Sequence, residues 1–194
     1  MENKKISIVE SNKKMTTKQL ILCGLFTALI AVGAFIKIPI PVLPFTLQFL
    51  FTMMAGLLLG GEMGAYSVLM YILLGLIGLP IFTEGGGLGY IFKPTFGYII
   101  GFCIASYVTG KIANEKSNPT YTRILTANFI GLAIIYSLGM IYYYTICNFV
   151  INTPIGVWPL FLYCFILAVP GDILLCILSA LLYKRLIPAI KFIR

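Results

Sequence analysis

Asp172 is the acidic residue that lies deep in an apolar stretch of this sequence. Glu2, Glu10, Glu62, Glu84 and Glu115 fall in polar tails or short connectors. A carboxylate at the centre of an apolar helix costs about 3 kcal/mol if the helix sits in lipid, so it faces a partner or a water-filled space. Two readings are open for Asp172. It accepts hydrogen bonds from a ligand, or it caps backbone freed by Pro170. Lys93 is the matching cation, either meeting an anionic substrate group or snorkelling to a membrane interface. Gln48 offers a donor and an acceptor in one side chain. Tyr90, with Gly89 beside it in a glycine-rich run, can stack on a flat ligand. Tyr142 belongs to a run of three tyrosines. Successive helical residues point about 100° apart, so at most two of the three face inward.

Much chemistry is excluded. The chain has no histidine, which removes histidine relays, Ser-His-Asp triads and histidine metal sites. The five cysteines (Cys23, Cys103, Cys147, Cys164, Cys176) form no CxxC pair, so they read as small hydrophobes. No metal or cofactor is expected. Gly110-Lys111 is followed by Ile112, not by Ser or Thr, and Ala105 occupies the place of the first P-loop glycine. An active transporter built on this chain must therefore take its ATP hydrolysis from another subunit.

The elements that position these residues are apolar. Of 194 residues, 60% are hydrophobic and 10% charged, against roughly 25% charged in soluble domains. Runs of about 20 apolar residues match the hydrocarbon thickness of a bilayer. The first follows a polar stretch, is long and has no small-residue cleavage site, so it reads as a retained helix. The pattern predicts six helices: 17–36, 45–59, 65–79, 94–113, 122–147 and 159–183. A proline-rich connector, Lys37–Pro44, is expected to be extended. Gly60, Gly61 and Gly64 are expected to form a turn, and Pro170 with Gly171 a kink. The fold class is an all-α integral membrane protein, a six-transmembrane-helix bundle. Its organisation is a basic tail at 1–17, a membrane domain at 18–183 and a second basic tail at 184–194. With six spans, one side holds twelve of the fourteen Lys and Arg residues. The positive-inside rule then puts both termini in the cytoplasm, N-in and C-in. The three irregular connectors face outward, either as plain loops or as the rim of a cavity.

The segments PVLPFTLQ (Pro41–Gln48), AGLLLGGEMGAYSVLMYILLGLIGLP (Ala55–Pro80), GGGLGYIFKPTFGYIIGF (Gly85–Phe102) and VPGD (Val169–Asp172) resemble the BioY family. The resemblance runs roughly from Lys18 to Tyr183. It is most specific where the glycine run, the PTxGY core (Pro94–Tyr98) and the following GF stand in register. BioY proteins are biotin-binding S components of the energy-coupling factor (ECF) transporters of prokaryotes.

The resemblance implies a non-enzymatic, multi-pass subunit of the prokaryotic plasma membrane. Such a subunit captures biotin from outside and delivers it inward by toppling in the membrane. Its implied partners are a membrane-embedded T component and two cytoplasmic ATPases. The T component meets a small-residue motif on helix 1, for which Gly24-xxx-Ala28 and Thr27-xxx-Ala31 are the nearest matches here. Biotin suits the candidate set of Gln48, Gly89, Tyr90, Lys93, Tyr142 and Asp172. Asp172 can accept from the ureido N–H groups, Gln48 or a tyrosine can donate to the ureido carbonyl, and Lys93 can meet the carboxylate. An S component for thiamin or riboflavin is the alternative, and a membrane-embedded enzyme a more distant one. The small-residue ridge of helix 1 also fits internal packing.

Overall fold

The structure is a computed structural model and describes residues 15–38, 44–116 and 118–191. Most of the basic N-terminal tail, the centre of the Lys37–Pro44 connector and the last three residues lie outside the described residues.

Helix α1 spans Thr17–Phe35 and opens with a capping box. The Thr16 hydroxyl accepts from the Gln19 N–H at 3.3 Å, and the Gln19 side chain accepts from the Thr16 N–H at 3.0 Å. Two orphan donors at the helix start are thereby satisfied. A two-residue hairpin follows, with β1 at Lys37–Ile38 and β2 at Phe45–Thr46. Lys37 stands opposite Thr46, and Ile38 opposite Phe45. This pairing delays α2 to Gln48–Leu59. Phe45, expected to open that helix, is in the hairpin instead.

Helix α3 covers Gly61–Leu76. It starts four residues before the expected Ala65, because Gly60 alone makes the turn, at φ 91°. Gly61 and Gly64 are helical and serve packing. A Cβ added at Gly61 would lie 2.5 Å from the Tyr107 carbonyl oxygen, and one at Gly56 2.3 Å from that of Ser106. The end of α2 and the start of α3 can therefore lie directly on the next helix. Gly78, at φ 114°, ends the α3 region before Pro80 is reached.

Helix α4 is Phe96–Asn114 and α5 is Tyr121–Phe149. They pack along each other, with α2 and α3 on the other side of α4. The last rod is interrupted. α6 covers Val157–Phe161, a wide turn follows over Leu162–Ile166, and α7 runs Val169–Lys191. The Leu167 N–H reaches back five residues, to the Leu162 carbonyl at 3.1 Å. The break comes ahead of Pro170, whose ring and missing N–H disrupt the preceding turn. α7 continues past Tyr183 to Lys191, so the segment expected to be a tail begins as helix.

The protein is thus all-α among the described residues, apart from the short hairpin, with six helical rods when α6 and α7 count as one. Among the described residues, four stretches are long and apolar enough to cross a membrane: Thr17–Phe35, Phe96–Asn114, Tyr121–Phe149 and Val157–Ala189. α2 and α3 are apolar but shorter, at 12 and 16 residues. At the end where α2 turns into α3, Lys111 pairs with Glu62 at 3.6 Å and Arg123 pairs with Glu115.

Candidate functional site

The start of α2, the start of α4, the middle of α5 and the start of α7 meet around one cavity. It encloses about 580 Å³ outside the protein atoms, part of it open to solvent. The hairpin supplies Pro44, Phe45 and Thr46, and α2 supplies Gln48 and Phe49. The α3–α4 connector supplies Thr83, Tyr90 and Thr95. Tyr98, Ile99 and Phe102 come from α4, Ile135 and Tyr136 from α5, and Ala168 and Asp172 from the last rod. Thr46 and Gln48 share this lining because Thr46 belongs to the hairpin. Inside a continuous helix they would have pointed nearly opposite ways.

Local backbone explains why these side chains converge. The α3–α4 connector folds back on itself, with Phe82 and Gly85 exchanging hydrogen bonds. The Gly87 N–H then reaches the Gly75 carbonyl at 2.7 Å. This brings the short 3-10 turn Leu88–Phe92 over the bundle and buries Tyr90 to 3% exposure. Phe82 anchors the turn. Its ring lies 4.5 Å from that of Tyr90 and 5.3 Å from that of Tyr71. It occupies the space over Gly75, where a Cβ would come within 2.1 Å of it. Tyr98 is seated in the same way on Gly139 of α5, at 2.4 Å from an added Cβ.

The electrostatics of the cavity are those of an incomplete hydrogen-bond network. Asp172 is 8% exposed, and its Oδ2 accepts from the Tyr136 hydroxyl at 2.6 Å. Gln48 Nε2 and the Tyr98 hydroxyl are buried and have no hydrogen-bond partner of normal geometry among the described residues. A buried polar group left unmatched costs roughly 1–3 kcal/mol, so two such atoms lining one cavity point to a missing partner. The Tyr90 and Thr95 hydroxyls share a hydrogen bond of 3.3 Å. The aromatic walls are ordered edge to face: Tyr98 meets Tyr136 at 6.1 Å and 87°, and Tyr136 meets Phe165 at 5.3 Å and 81°. The polar set is hydroxyl and amide donors and a carboxylate acceptor among rings. It suits a flat, hydrogen-bonding small molecule.

Of the residues expected from the sequence, Gln48, Tyr90 and Asp172 line the cavity together. Three others do not. Gly89 lies beside Tyr90 with open space where a side chain would stand. Lys93 is half exposed and bound to Glu84 at 3.1 Å, both on the same connector. Tyr142 donates to the Ile91 carbonyl and packs on Phe96, so it braces the connector from behind. The sequence reading missed Tyr98 and Tyr136. Each sits in an apolar helix where a tyrosine passes for core.

The residues expected on the outer face of helix 1 line a second space. An apolar groove between α1 and α3 holds about 1500 Å³, including open solvent, and Gly24, Thr27, Ala28 and Ala31 all border it. Gly24 and Ala28 are exposed, whereas Thr27 is buried. The Thr27 hydroxyl is committed inward, near both the Cys23 and Ser67 carbonyls at 2.9 Å.

Comparison with known proteins places these features. A sequence profile of the BioY family matches residues 8–192. The chain is 47% identical over 174 residues to the probable biotin transporter BioY of Lysinibacillus sphaericus, covering 90% of this chain and 89% of that one. It is 43% identical over 124 residues to the biotin transporter BioY of Thermotoga maritima, covering 63% of this chain and 72% of that one. Among solved structures, it is similar to the S-component for biotin from an ECF-type ABC transporter, with a TM-score of 0.73 and 29% identity over 89% of this chain and 94% of the other.

Proposed function

The chain belongs to the BioY family, and from that premise we propose that it is a biotin-capturing S component whose ligand sits in the cavity between Gln48 and Asp172. It is a multi-pass transport component, not an enzyme. One observation carries the placement of the ligand: Gln48 Nε2, the Tyr98 hydroxyl and the Asp172 carboxylate converge on one aromatic-walled cavity, the first two with Tyr71 and Cys164 nearby but no hydrogen bond of normal geometry among the described residues.

Biotin supplies what these groups lack. Its ureido ring has two N–H donors and one carbonyl acceptor. Asp172, oriented by Tyr136, accepts from the N–H side, and Gln48 and Tyr98 donate to the carbonyl. The thiophane ring and aliphatic chain lie against Phe49, Tyr90 and Phe102. The carboxylate points to the open end, toward Lys93. In that pose Lys93 exchanges Glu84 for the ligand. Sites built this way discriminate strongly, because an analogue lacking a polar group leaves its buried partner unmatched.

In this reading all six rods cross the plasma membrane of a prokaryotic cell. α2 and α3 cross jointly with the irregular connectors, which are tolerated there because they line the cavity. Both tails, at 1–17 and 184–194, lie in the cytoplasm, and the cavity opens outward. A membrane-embedded T component, docked at the Gly24, Ala28 and Ala31 ridge with Thr27 buried behind it, and two ATPases complete the importer.

Titration of the purified chain in detergent with biotin, without ATP, tests the core of this. Binding in the nanomolar range is expected. A Kd weaker than about 10 μM, equivalent to about −7 kcal/mol, would overturn it.

A further inference from the structure

Phe45 borders two spaces. It lines the central cavity, and it also lines an apolar hollow of about 660 Å³ between the hairpin and α7, together with Ile38, Leu167, Gly171, Leu174 and Leu175. Its ring fills the gap left by the missing side chain of Gly171. A Cβ added there would come within 2.5 Å of Cε2 and 2.9 Å of Cζ. The next residue along α7 is Asp172, whose carboxylate reaches the cavity. Phe45 is therefore a wall of the cavity at the point where Asp172 enters it.

The two partners are held very differently. Gly171 lies in the first turn of a helix of 23 residues. Phe45 lies in a two-residue strand paired with Ile38. Carbon atoms in ordinary contact stay about 3.5–4.0 Å apart, so a methyl group at 171 forces one side to move. The hairpin yields more easily than the helix. The displaced ring can move inward, into the space beside Asp172, or into the apolar hollow that it also borders, and only the inward move narrows the ligand's space.

We propose that the Phe45–Gly171 contact is a wall of the biotin cavity that sets how tightly and how long the ligand is held. Gly171 is the recess that keeps the ring out of the ligand's space, and the ring seals the cavity from the apolar hollow. The inference rests on the biotin reading of the cavity. It assigns Phe45 as a wall residue and Gly171 as a positioning residue that acts through it.

The test is a double-mutant cycle on the purified chain. Biotin affinity and dissociation rate are measured alongside thermal stability for the unsubstituted chain, Gly171→Ala, Phe45→Leu and the pair. Because overpacking a tight contact displaces its neighbours, Gly171→Ala is expected to weaken biotin binding about tenfold. Phe45→Leu opens the wall and speeds biotin dissociation about fivefold. The pair restores room for the methyl group and binds biotin about fivefold more tightly than Gly171→Ala alone, which coupling between touching residues requires. A helix-stiffening effect of alanine at 171 would not be relieved by shortening Phe45. If the pair binds no better than Gly171→Ala, or Phe45→Leu releases biotin at the unsubstituted rate, the inference is overturned. Should Gly171→Ala fail to fold, the Phe45→Leu dissociation rate decides. Absence of biotin binding by the unsubstituted chain overturns the biotin reading itself, and this inference with it.

Discussion

The central cavity and the α1–α3 groove are both hollows in an apolar bundle, yet they differ in how their polar atoms are treated. In the cavity, Gln48 Nε2 and the Tyr98 hydroxyl are buried without a hydrogen bond of normal geometry among the described residues. In the groove, the buried hydroxyl of Thr27 already lies 2.9 Å from two carbonyl oxygens. The cavity is walled by rings set edge to face, and the groove by Leu69, Met70, Leu74 and small residues of α1. Unmatched polar atoms that line a cavity, unlike those of Thr52, Ser106 and Asn128 in the packed bundle, mark a place for a small hydrogen-bonding molecule. A surface with its polar atoms satisfied offers shape and close approach, which is what another helix uses.

The contrast can be broken at its strongest point first. Asp172→Asn keeps the shape of the side chain but removes its charge and turns one acceptor into a donor. A hydrogen bond to a charged group is worth about 1.5–3 kcal/mol, so biotin affinity should fall roughly tenfold to a hundredfold in a binding titration. Normal affinity with lowered thermal stability would make Asp172 a cap for the Pro170 break instead. The groove comes next. Ala28→Trp should obstruct close approach on α1, cutting transport by the assembled importer about tenfold while the isolated chain still binds biotin. Loss of both together would mean that the ridge serves internal packing. The smallest effect sharpens the mouth of the cavity. Lys93 is exposed and already paired with Glu84, and exposed ion pairs are worth roughly 0–1 kcal/mol. Lys93→Ala should weaken biotin by no more than about fivefold, and should leave an amidated analogue unaffected. An equal loss for both ligands would show that Lys93 acts through the connector.

What the sequence revealed follows from what each signal depends on. Long apolar runs give helices wherever they stand, so all six rods were legible. Asp172 stood out because a carboxylate inside such a run demands a reason, and Gln48 and Tyr90 because they flank loops. Phe45 and Thr46 were misplaced in a helix, since a hairpin of two-residue strands exists only through its pairing with Lys37 and Ile38. Tyr136 was invisible for a different reason. Its role comes from Asp172, 36 residues away in the chain. Tyr98 left a trace, as the last residue of the PTFGY run that opens α4, but nothing in the run says that its hydroxyl ends without a hydrogen bond of normal geometry. Gly171 reads as part of the Pro170 kink until the Phe45 ring lying on it comes into view, and Gly139 gains its meaning only from the Tyr98 ring.

The wide turn at Leu162–Ile166 also sets the phase of everything after it. A five-residue backbone step holds about one residue more than an α turn, which rotates the following helix by roughly 100°. The carboxylate after the turn is therefore in a different register from the residues before it, and its reaching Tyr136 depends on that extra residue. Phe165 faces Tyr136 from within the turn, and Asp172 meets the same tyrosine from beyond it. The last rod thus behaves as a two-part dial. The count of residues between Phe161 and Val169, more than their identity, decides whether the carboxylate looks into the bundle or out into lipid.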